Sequence, residues 1–168
     1  MAAALPASAY LGEEGKRRGV RAKVSSWRRI SPAGLIPHAK ATGQYLNSIL
    51  AKTEAAQSGF DEAILLDENG LVCEGSGENL FVVREGKLVT PGHTSSILDG
   101  ISRKSVIQIA EDLGYKVVER DLARSELYLA DEAFLCGTAA ELVPVREIDG
   151  HELGDPGEHV DVEVAADD

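Results

Sequence analysis

Apolar residues recur at the spacing of a helix in two segments, residues 45–59 and 102–113. Gly59 and Gly114 close these segments, and glycine commonly ends a helix because it adopts positive φ. Ser102 is the predicted N-cap of the second helix, since its hydroxyl can accept a hydrogen bond from a free backbone N–H. The residues predicted to form the two apolar faces are Leu46, Ile49, Leu50, Val106, Ile109, Ala110 and Leu113.

Short apolar runs predict strands, and turn residues join several of them into hairpins. Asn69-Gly70 separates the runs at residues 63–66 and 71–73, and both residues tolerate the positive φ of a tight turn. A second hairpin turn is predicted at Arg84-Glu85-Gly86. The remaining predicted elements are strands at residues 20–27, 80–83, 87–90, 116–119, 133–136 and 142–145 and a short helix at residues 125–129. This mixture indicates an α+β fold of hairpins and two packed helices, not a doubly wound parallel sheet.

The chain is acidic, with 17 basic and 28 acidic residues and a net charge of −11. Such a surface repels phosphate backbones, and no basic stripe interrupts it, so binding to nucleic acid is disfavoured. The first residues lack the basic start and long apolar core of a signal peptide, and no apolar run is long enough to span a membrane. We therefore expect a cytoplasmic protein with no membrane partner.

The two cysteines, Cys73 and Cys136, each lie in an apolar run that predicts a strand. Buried free thiols are the expected state in a reducing cytosol, and a disulfide is the alternative. No metal site is predicted, because the histidines are scattered and no pair of cysteines has ligand spacing. After Gly150 the apolar periodicity ends, and residues 150–168 are predicted to form a mobile, solvated acidic tail.

Two segments carry side chains that suit covalent or ring-binding chemistry. Lys40 lies between small residues just before the first predicted helix. A buried amine is a good nucleophile because desolvation lowers its pKa, whereas a solvated surface lysine is the simpler interpretation. The loop Glu74-Gly75-Ser76-Gly77-Glu78-Asn79 presents two carboxylates on a glycine-rich turn, which suits a carboxylate facing a cationic ring. The loop lacks the spacing of either common nucleotide-binding glycine motif, and an ordinary turn is its alternative.

Two other segments suit an anion. Gly100-Ile101-Ser102 opens the second predicted helix, where free N–H groups and the helix dipole favour a phosphate. Plain capping by Ser102 explains the same residues equally well. In Gly137-Thr138-Ala139 a predicted strand gives way to small residues, which suits either a second anion cradle or a tight turn.

Taken together, the order and spacing of these segments resemble a known enzyme family. The matching motif consists of Glu74, Ser76, Asn79-Leu80-Phe81, Leu88-Val89-Thr90 and Leu98-Asp99-Gly100-Ile101-Ser102-Arg103. In this pattern the chain is similar to the class IV (fold-type IV) pyridoxal-phosphate aminotransferases, and most closely to the branched-chain amino acid aminotransferases, from about Tyr10 to Asp149. The resemblance implies an α+β fold, the large cofactor-binding domain of the fold-type IV enzymes, and pyridoxal 5′-phosphate as cofactor.

The resemblance assigns roles around the cofactor ring. Lys40 matches the catalytic lysine that the family joins to the cofactor's aldehyde and that later moves the substrate proton. Glu74 matches the carboxylate that pairs with the pyridine nitrogen, which keeps the ring protonated and electron-withdrawing. Tyr45 matches the phenol that donates a hydrogen bond to the ring oxygen.

The resemblance also assigns the phosphate and substrate contacts. Ile101 and Ser102 match a backbone-and-hydroxyl phosphate site at a helix start, and Thr138 completes it. Thr138 and Ala139 border the substrate carboxylate. The implied reaction moves the amino group of leucine, isoleucine or valine to 2-oxoglutarate, and the family usually forms homo-oligomers.

The loop variant Gly-Ser-Gly-Glu-Asn favours the branched-chain subfamily. The alternatives are a D-amino acid transaminase, a lyase acting on aminodeoxychorismate, and a non-catalytic remnant of the family. A phosphate-binding regulatory domain is a further alternative that rests on the glycine-rich loops alone.

The family carries a smaller N-terminal domain before the stretch matched here, and Lys40 leaves no room for it. Residues 1–19 are therefore interpreted as a remnant of the region between domains, residues 20–149 as the cofactor-binding domain and residues 150–168 as the tail. A cleft open on one side would weaken each hydrogen bond to the phosphate. We therefore expect weak cofactor binding and slow turnover unless another chain completes the site.

Overall fold

Nine strands form one mixed sheet in the computed structural model, which describes Gly15 and residues 17–154. The strands are β1 Val20–Arg28, β2 Glu62–Leu66, β3 Val72–Gly75, β4 Asn79–Arg84, β5 Lys87–Thr90, β6 Val117–Glu119, β7 Glu132–Gly137, β8 Glu141–Ile148 and β9 His151–Glu152. Across the sheet the order is β3-β2-β1-β8-β7-β4-β5-β6, and β9 pairs with β8. Helices α1 Tyr45–Gln57, α2 Ile101–Asp112 and α3 Arg124–Leu127 pack around it, and a 3₁₀ turn, Thr42–Gln44, precedes α1.

Both predicted hairpins are confirmed. Strands β2 and β3 pair antiparallel across a turn in which Gly70 has φ +83°. Strands β4 and β5 pair antiparallel, with Val82 opposite Val89. Their two-residue turn places Glu85 at φ 51° and Gly86 at φ 69°, which is the conformation that matches the right-handed twist of the strands.

The parallel pairs were not predicted from the sequence. Strand β1 lies between β2 and β8 and runs parallel to both, while β5 runs parallel to β6. Parallel neighbours are joined by long crossovers, so no local turn signal marks them. The central position of β1 brings its end, at Arg28 and Arg29, against the carboxyl end of β2, where the Arg29 N–H donates to the Leu66 carbonyl at 2.8 Å.

Helix α1 packs on the sheet through small residues, not through its leucines. Ala51 and Ala55 are buried against Ala63 and Leu65 of β2, and Ser48 is buried on the same side of the helix. The predicted apolar face of Leu46, Ile49 and Leu50 is instead 65%, 59% and 36% exposed. The small residues allow the helix backbone to approach β2 closely, and this orientation turns the leucine face outward.

Helix α2 begins two residues earlier than an N-cap at Ser102 predicts, and Ser102 does not cap it. The N-cap is Gly100, and no side chain makes a capping hydrogen bond there. Ala110 is buried and Val106 half-buried, as predicted, but Ile109 and Leu113 are 57% and 61% exposed. Those two side chains border an apolar groove beside Phe134 and Leu142. The helix lies over one edge of the sheet, so only part of its apolar face reaches the core.

The end of the described chain is folded onto the sheet. His151 and Glu152 form β9, Leu153 is buried, and the Leu153 N–H donates to Arg146 O at 2.9 Å. These residues belong to the segment predicted to be a solvated tail, so the prediction is wrong for residues 151–153. A single apolar residue, Leu153, gives no periodic pattern, and its burial could therefore not be predicted from the sequence. Residues 1–14, Lys16 and 155–168, which include most of the predicted leader and tail, lie outside the described residues.

Both cysteines are free and buried, as expected. Burial raises the pKa of Cys73 and of Cys136 to about 12, so both thiols are protonated at neutral pH. Among residues 17–154, no helix is long and apolar enough to cross a membrane. Within the same part of the chain, no cluster of three or more histidine, cysteine or acidic side chains has the arrangement of a metal site.

Candidate active site

Lys40 and Glu74 line one cavity of about 250 Å³, which we call the main cavity. Lys40 lies in the loop before the 3₁₀ turn and has an exposed side chain, while Glu74 lies on β3 and is 5% exposed. The loop reaches the cavity because Gln44, which is buried, donates from Nε2 to the Ile36 carbonyl at 2.6 Å. The two residues that the sequence analysis singled out first are therefore brought to the same site.

A second, smaller cavity of about 30 Å³, the side cavity, adjoins the first. The two cavities share Lys40, Glu74, Gly77 and Leu98 in their linings. Tyr45 lines the side cavity only. The predicted phenol therefore lies next to Lys40 and Glu74, on the side of the site nearest α1.

The predicted phosphate residues line the main cavity and not the side cavity. Ile101 and Ser102, the first residues of α2, line the main cavity together with Thr138, which follows β7. Because no side chain caps α2, the first N–H groups of the helix remain available to an anion. Ala139 is exposed and lines neither cavity, so the structure does not bring its side chain to the site.

The Glu74 carboxylate is held by three donors. Its Oε1 lies 2.7 Å from Arg29 Nη2, and its Oε2 accepts from Asn79 Nδ2 at 3.1 Å and from the Leu98 N–H at 2.9 Å. Burial raises the pKa of Glu74 to about 7, and the Arg29 charge is the largest effect opposing that rise. A carboxylate can accept about four hydrogen bonds, so one acceptor position of Oε1 remains for a donor in the cavity.

A second acidic cluster lies beneath the glycine-rich loop. Glu62 is fully buried, pairs with Lys52 Nζ at 2.5 Å and accepts from the Ser76 N–H at 3.3 Å. Glu78 is 4% exposed, lines the main cavity and accepts from the Gly77 N–H at 3.1 Å. Burial and then the Glu62 carboxylate raise the pKa of Glu78 to about 8, so Glu78 carries a proton at neutral pH.

Two glycines are required by close approach rather than by backbone conformation. A Cβ at Gly100 would lie 2.2 Å from Asn79 Oδ1, and a Cβ at Gly75 would lie 2.9 Å from Glu78 Oε2. Asn79 cannot swing aside freely, because its Nδ2 donates both to Glu74 and to the Leu98 carbonyl. The absence of a side chain at residue 100 therefore keeps Asn79, and through it Glu74, in place.

We expect Gly100→Ala to destabilise the chain by about 2 kcal/mol, because the new methyl group displaces Asn79 and breaks its two hydrogen bonds. The free energy of unfolding in urea measures the change. Gly43→Ala is the matched control, since a Cβ there meets nothing within 4 Å and should alter stability by less than about 0.5 kcal/mol. Equal stability of the two variants would contradict the steric argument.

The profile of the family described as Amino-transferase class IV matches residues 1–148. The chain belongs to this family. It is 51% identical over 153 residues to the branched-chain-amino-acid aminotransferase of Escherichia coli (strain K12), an alignment that covers 91% of this chain and 50% of that enzyme.

Solved structures give the same relationship. The branched-chain aminotransferase of Thermoproteus uzoniensis, determined with norvaline, has a TM-score of 0.85 and 54% identity, covering 90% of this chain and 50% of its own. The PLP form of the enzyme from Thermobaculum terrenum has a TM-score of 0.82 and 49% identity, covering 90% and 49%. The fold predicted from the motif, that of the fold-type IV aminotransferases, is confirmed. The chain spans about half the length of the relatives it matches.

Three residues of this class IV site were missed by the sequence analysis. Arg29 belongs to the run Trp-Arg-Arg, whose charges predict an exposed segment. Glu62 lies in an apolar strand, and Asn79 was noted only as part of the motif. A glutamate inside the run Glu62–Leu66 was the available signal, because a charged residue in a fully buried strand needs a partner. Nothing local distinguishes Arg29 from Arg28, since only the pairing of β1 with β2 decides which of them is buried.

Proposed function

We propose that this chain carries the cofactor-binding part of a pyridoxal 5′-phosphate transaminase, which moves the amino group of leucine, isoleucine or valine to 2-oxoglutarate. The observation that carries the proposal is the shared cavity of Lys40 and Glu74 in a chain about half identical to branched-chain aminotransferases. The amine of Lys40 suits the aldehyde of such a cofactor, and the buried carboxylate of Glu74 suits its pyridine nitrogen.

The residues present fit that cofactor. The free acceptor position of Glu74 suits a protonated ring nitrogen, and the uncapped start of α2 suits a phosphate. Two buried oxygens at the cavities, Ser76 Oγ and Asp99 Oδ1, make no hydrogen bond with the described residues. Such atoms call for a polar partner. When bound, the cofactor supplies the electron sink that stabilises negative charge at the substrate Cα.

In the proposed reaction each residue acts through position and charge. Lys40 would hold the cofactor through its Nζ and, as a free amine, would take the proton from the substrate Cα. Glu74 would favour the protonated ring nitrogen, and the Tyr45 hydroxyl would donate to the ring oxygen. Ile101, Ser102 and Thr138 would hold the phosphate through N–H and hydroxyl groups.

The substrate carboxylate is proposed to bind at Thr138, with the backbone of Ala139 beside it. The exposed Ala139 side chain makes no contribution to either cavity, so any contact there comes from main-chain atoms. Homo-oligomer formation and a cytoplasmic location remain predictions; size-exclusion chromatography with light scattering tests the first of them.

The test is reduction with borohydride after incubation of the chain with pyridoxal phosphate. Peptide mass spectrometry should find a pyridoxyl group on Lys40, and leucine added before reduction should lower its yield by releasing the lysine. Glutamate formation from leucine and 2-oxoglutarate is then assayed, with pyruvate release from a chorismate-derived substrate as the competing reaction. Modification spread evenly over exposed lysines would contradict the site, and pyruvate release would contradict the reaction class.

A further inference from the structure

Arg29 is buried directly behind the Glu74 carboxylate and is anchored independently of it. Its side chain is 7% exposed, its Nε donates to the Ser96 carbonyl at 3.2 Å, and its backbone N–H donates to the Leu66 carbonyl. These contacts tie the backbone of Arg29 to β2 and its guanidinium to the loop before α2. The position of Arg29 is therefore set by the fold and does not depend on Glu74.

The hydrogen bonds of Glu74 divide unequally between its two oxygens. Oε2 accepts from Asn79 and from the Leu98 N–H, which occupies both of its acceptor positions. Oε1 is joined to Arg29 Nη2 at 2.7 Å and keeps one position for the cavity. Arg29 and a donor in the cavity would thus both bind Oε1 of Glu74. By holding that oxygen, Arg29 fixes the direction of its remaining acceptor position.

We propose that Arg29 is a positioning residue, which holds the Glu74 carboxylate in the orientation and negative charge state needed to face a protonated ring nitrogen. The inference rests on the proposed function and assigns a role to a residue that lines the side cavity but not the main cavity. Its physical basis is electrostatic. An isolated carboxylate at a dry site takes up a proton, whereas a fixed cation within hydrogen-bond distance favours the ionised form.

The other charged groups around Glu74 do not replace Arg29. Arg103 is buried but engages Pro91 O and Glu119, and its effect on the pKa of Glu74 ranks below that of Arg29. Glu78 and Cys73 add no positive charge, and Lys40, whose side chain is exposed, is not among the leading influences on the Glu74 pKa. Removing the Arg29 charge therefore leaves a buried carboxylate that we expect to be neutral at pH 7.

The first test uses the chain without cofactor. The carboxyl signals of the glutamates are followed by ¹³C NMR as a function of pH. The signal of Glu74 is identified as the one that is missing from the Glu74→Gln variant. Arg29→Met should raise the Glu74 pKa from about 7 by roughly 1–3 units, and Arg29→Lys should restore part of the difference. Arg120→Met is the control, because Arg120 pairs with Glu126 and lines neither cavity. An unchanged Glu74 titration in Arg29→Met overturns the proposal.

The second test adds pyridoxal phosphate and follows its visible absorbance against pH. Arg29→Met should shift the spectral pH profile, while pyridoxyl trapping on Lys40 persists after reduction. Should Arg29→Met fold poorly, Arg29→Gln removes the charge but keeps a polar side chain beside the Ser96 carbonyl, and the Glu74 titration is measured in that variant instead. Trapping that already fails in the wild type refutes the proposed function. Normal trapping with an unshifted profile in Arg29→Met refutes the role of Arg29 alone.

Discussion

Lys40→Ala should abolish the borohydride-stable pyridoxyl adduct and lower transamination by at least about 10²-fold. The reason is that one amine serves both as the covalent attachment point and as the base at the substrate Cα, and neighbouring side chains do not replace it. His38 and Lys40 both line the main cavity, but an imidazole forms no stable covalent link to an aldehyde. The measurements are peptide mass spectrometry after reduction and the rate of glutamate formation.

Lys116→Ala is the control for this substitution. Lys116 is an exposed lysine at the start of β6 and lies outside both cavities, so its removal tests whether loss of any lysine lowers the yield. Free pyridoxal phosphate labels surface lysines slowly, and a time course separates that background from the site. An adduct of undiminished yield in Lys40→Ala would show that another amine is the attachment point.

The second large effect is expected at Glu78, in the pH dependence of stability. Burial and Glu62 raise the pKa of Glu78 from 4.5 to about 8 in the folded chain, so the folded state retains a proton that the unfolded state has already released. Stability is highest below pH 4.5 with respect to this group, and it falls as the pH rises through about 8. The expected loss is on the order of a few kcal/mol, because each unit by which the pKa is raised corresponds to about 1.4 kcal/mol.

Glu78→Gln should remove this loss. The amide remains neutral at every pH, so the variant should match the wild type near pH 4 and exceed its stability at pH 9, as measured by urea unfolding. Glu74 also has a raised pKa, and because its carboxylate is only the last-ranked cause of the rise at Glu78, most of its contribution cancels in the comparison. Glu111→Gln, on the exposed face of α2, is the control and should leave the pH profile unchanged. Parallel profiles for Glu78→Gln and the wild type would refute a proton on Glu78.

The charged neighbours of Glu74 and Glu78 shift the pKa values of these two carboxyl groups in opposite directions. Glu74 faces Arg29 and two neutral donors, which favours its ionised form, whereas Glu78 faces the Glu62 carboxylate, which favours its protonated form. Both lie within six residues of sequence, and only their partners differ.

Local structure could largely be predicted from the sequence. Asn69-Gly70 and Glu85-Gly86 predicted the hairpins because positive φ is a local property that few residues adopt. Glycines 59 and 114 ended helices for the same reason. The motif from Glu74 to Arg103 predicted the family, and the resemblance then named five residues that line the main cavity, Lys40, Glu74, Ile101, Ser102 and Thr138. These inferences needed no knowledge of which elements are neighbours in space.

Orientation and long-range partners were decided by the tertiary structure alone. Leu46 and Ile49 have the periodicity of an inward face, yet Ala51 and Ala55 pack on β2, because close approach of helix and sheet requires small side chains. Arg29 is buried because β1 inserts between β2 and β8, a parallel arrangement that leaves no trace in local sequence. A residue's backbone preferences reside in its own chemistry, whereas its burial and its charge partners depend on segments far away in the chain.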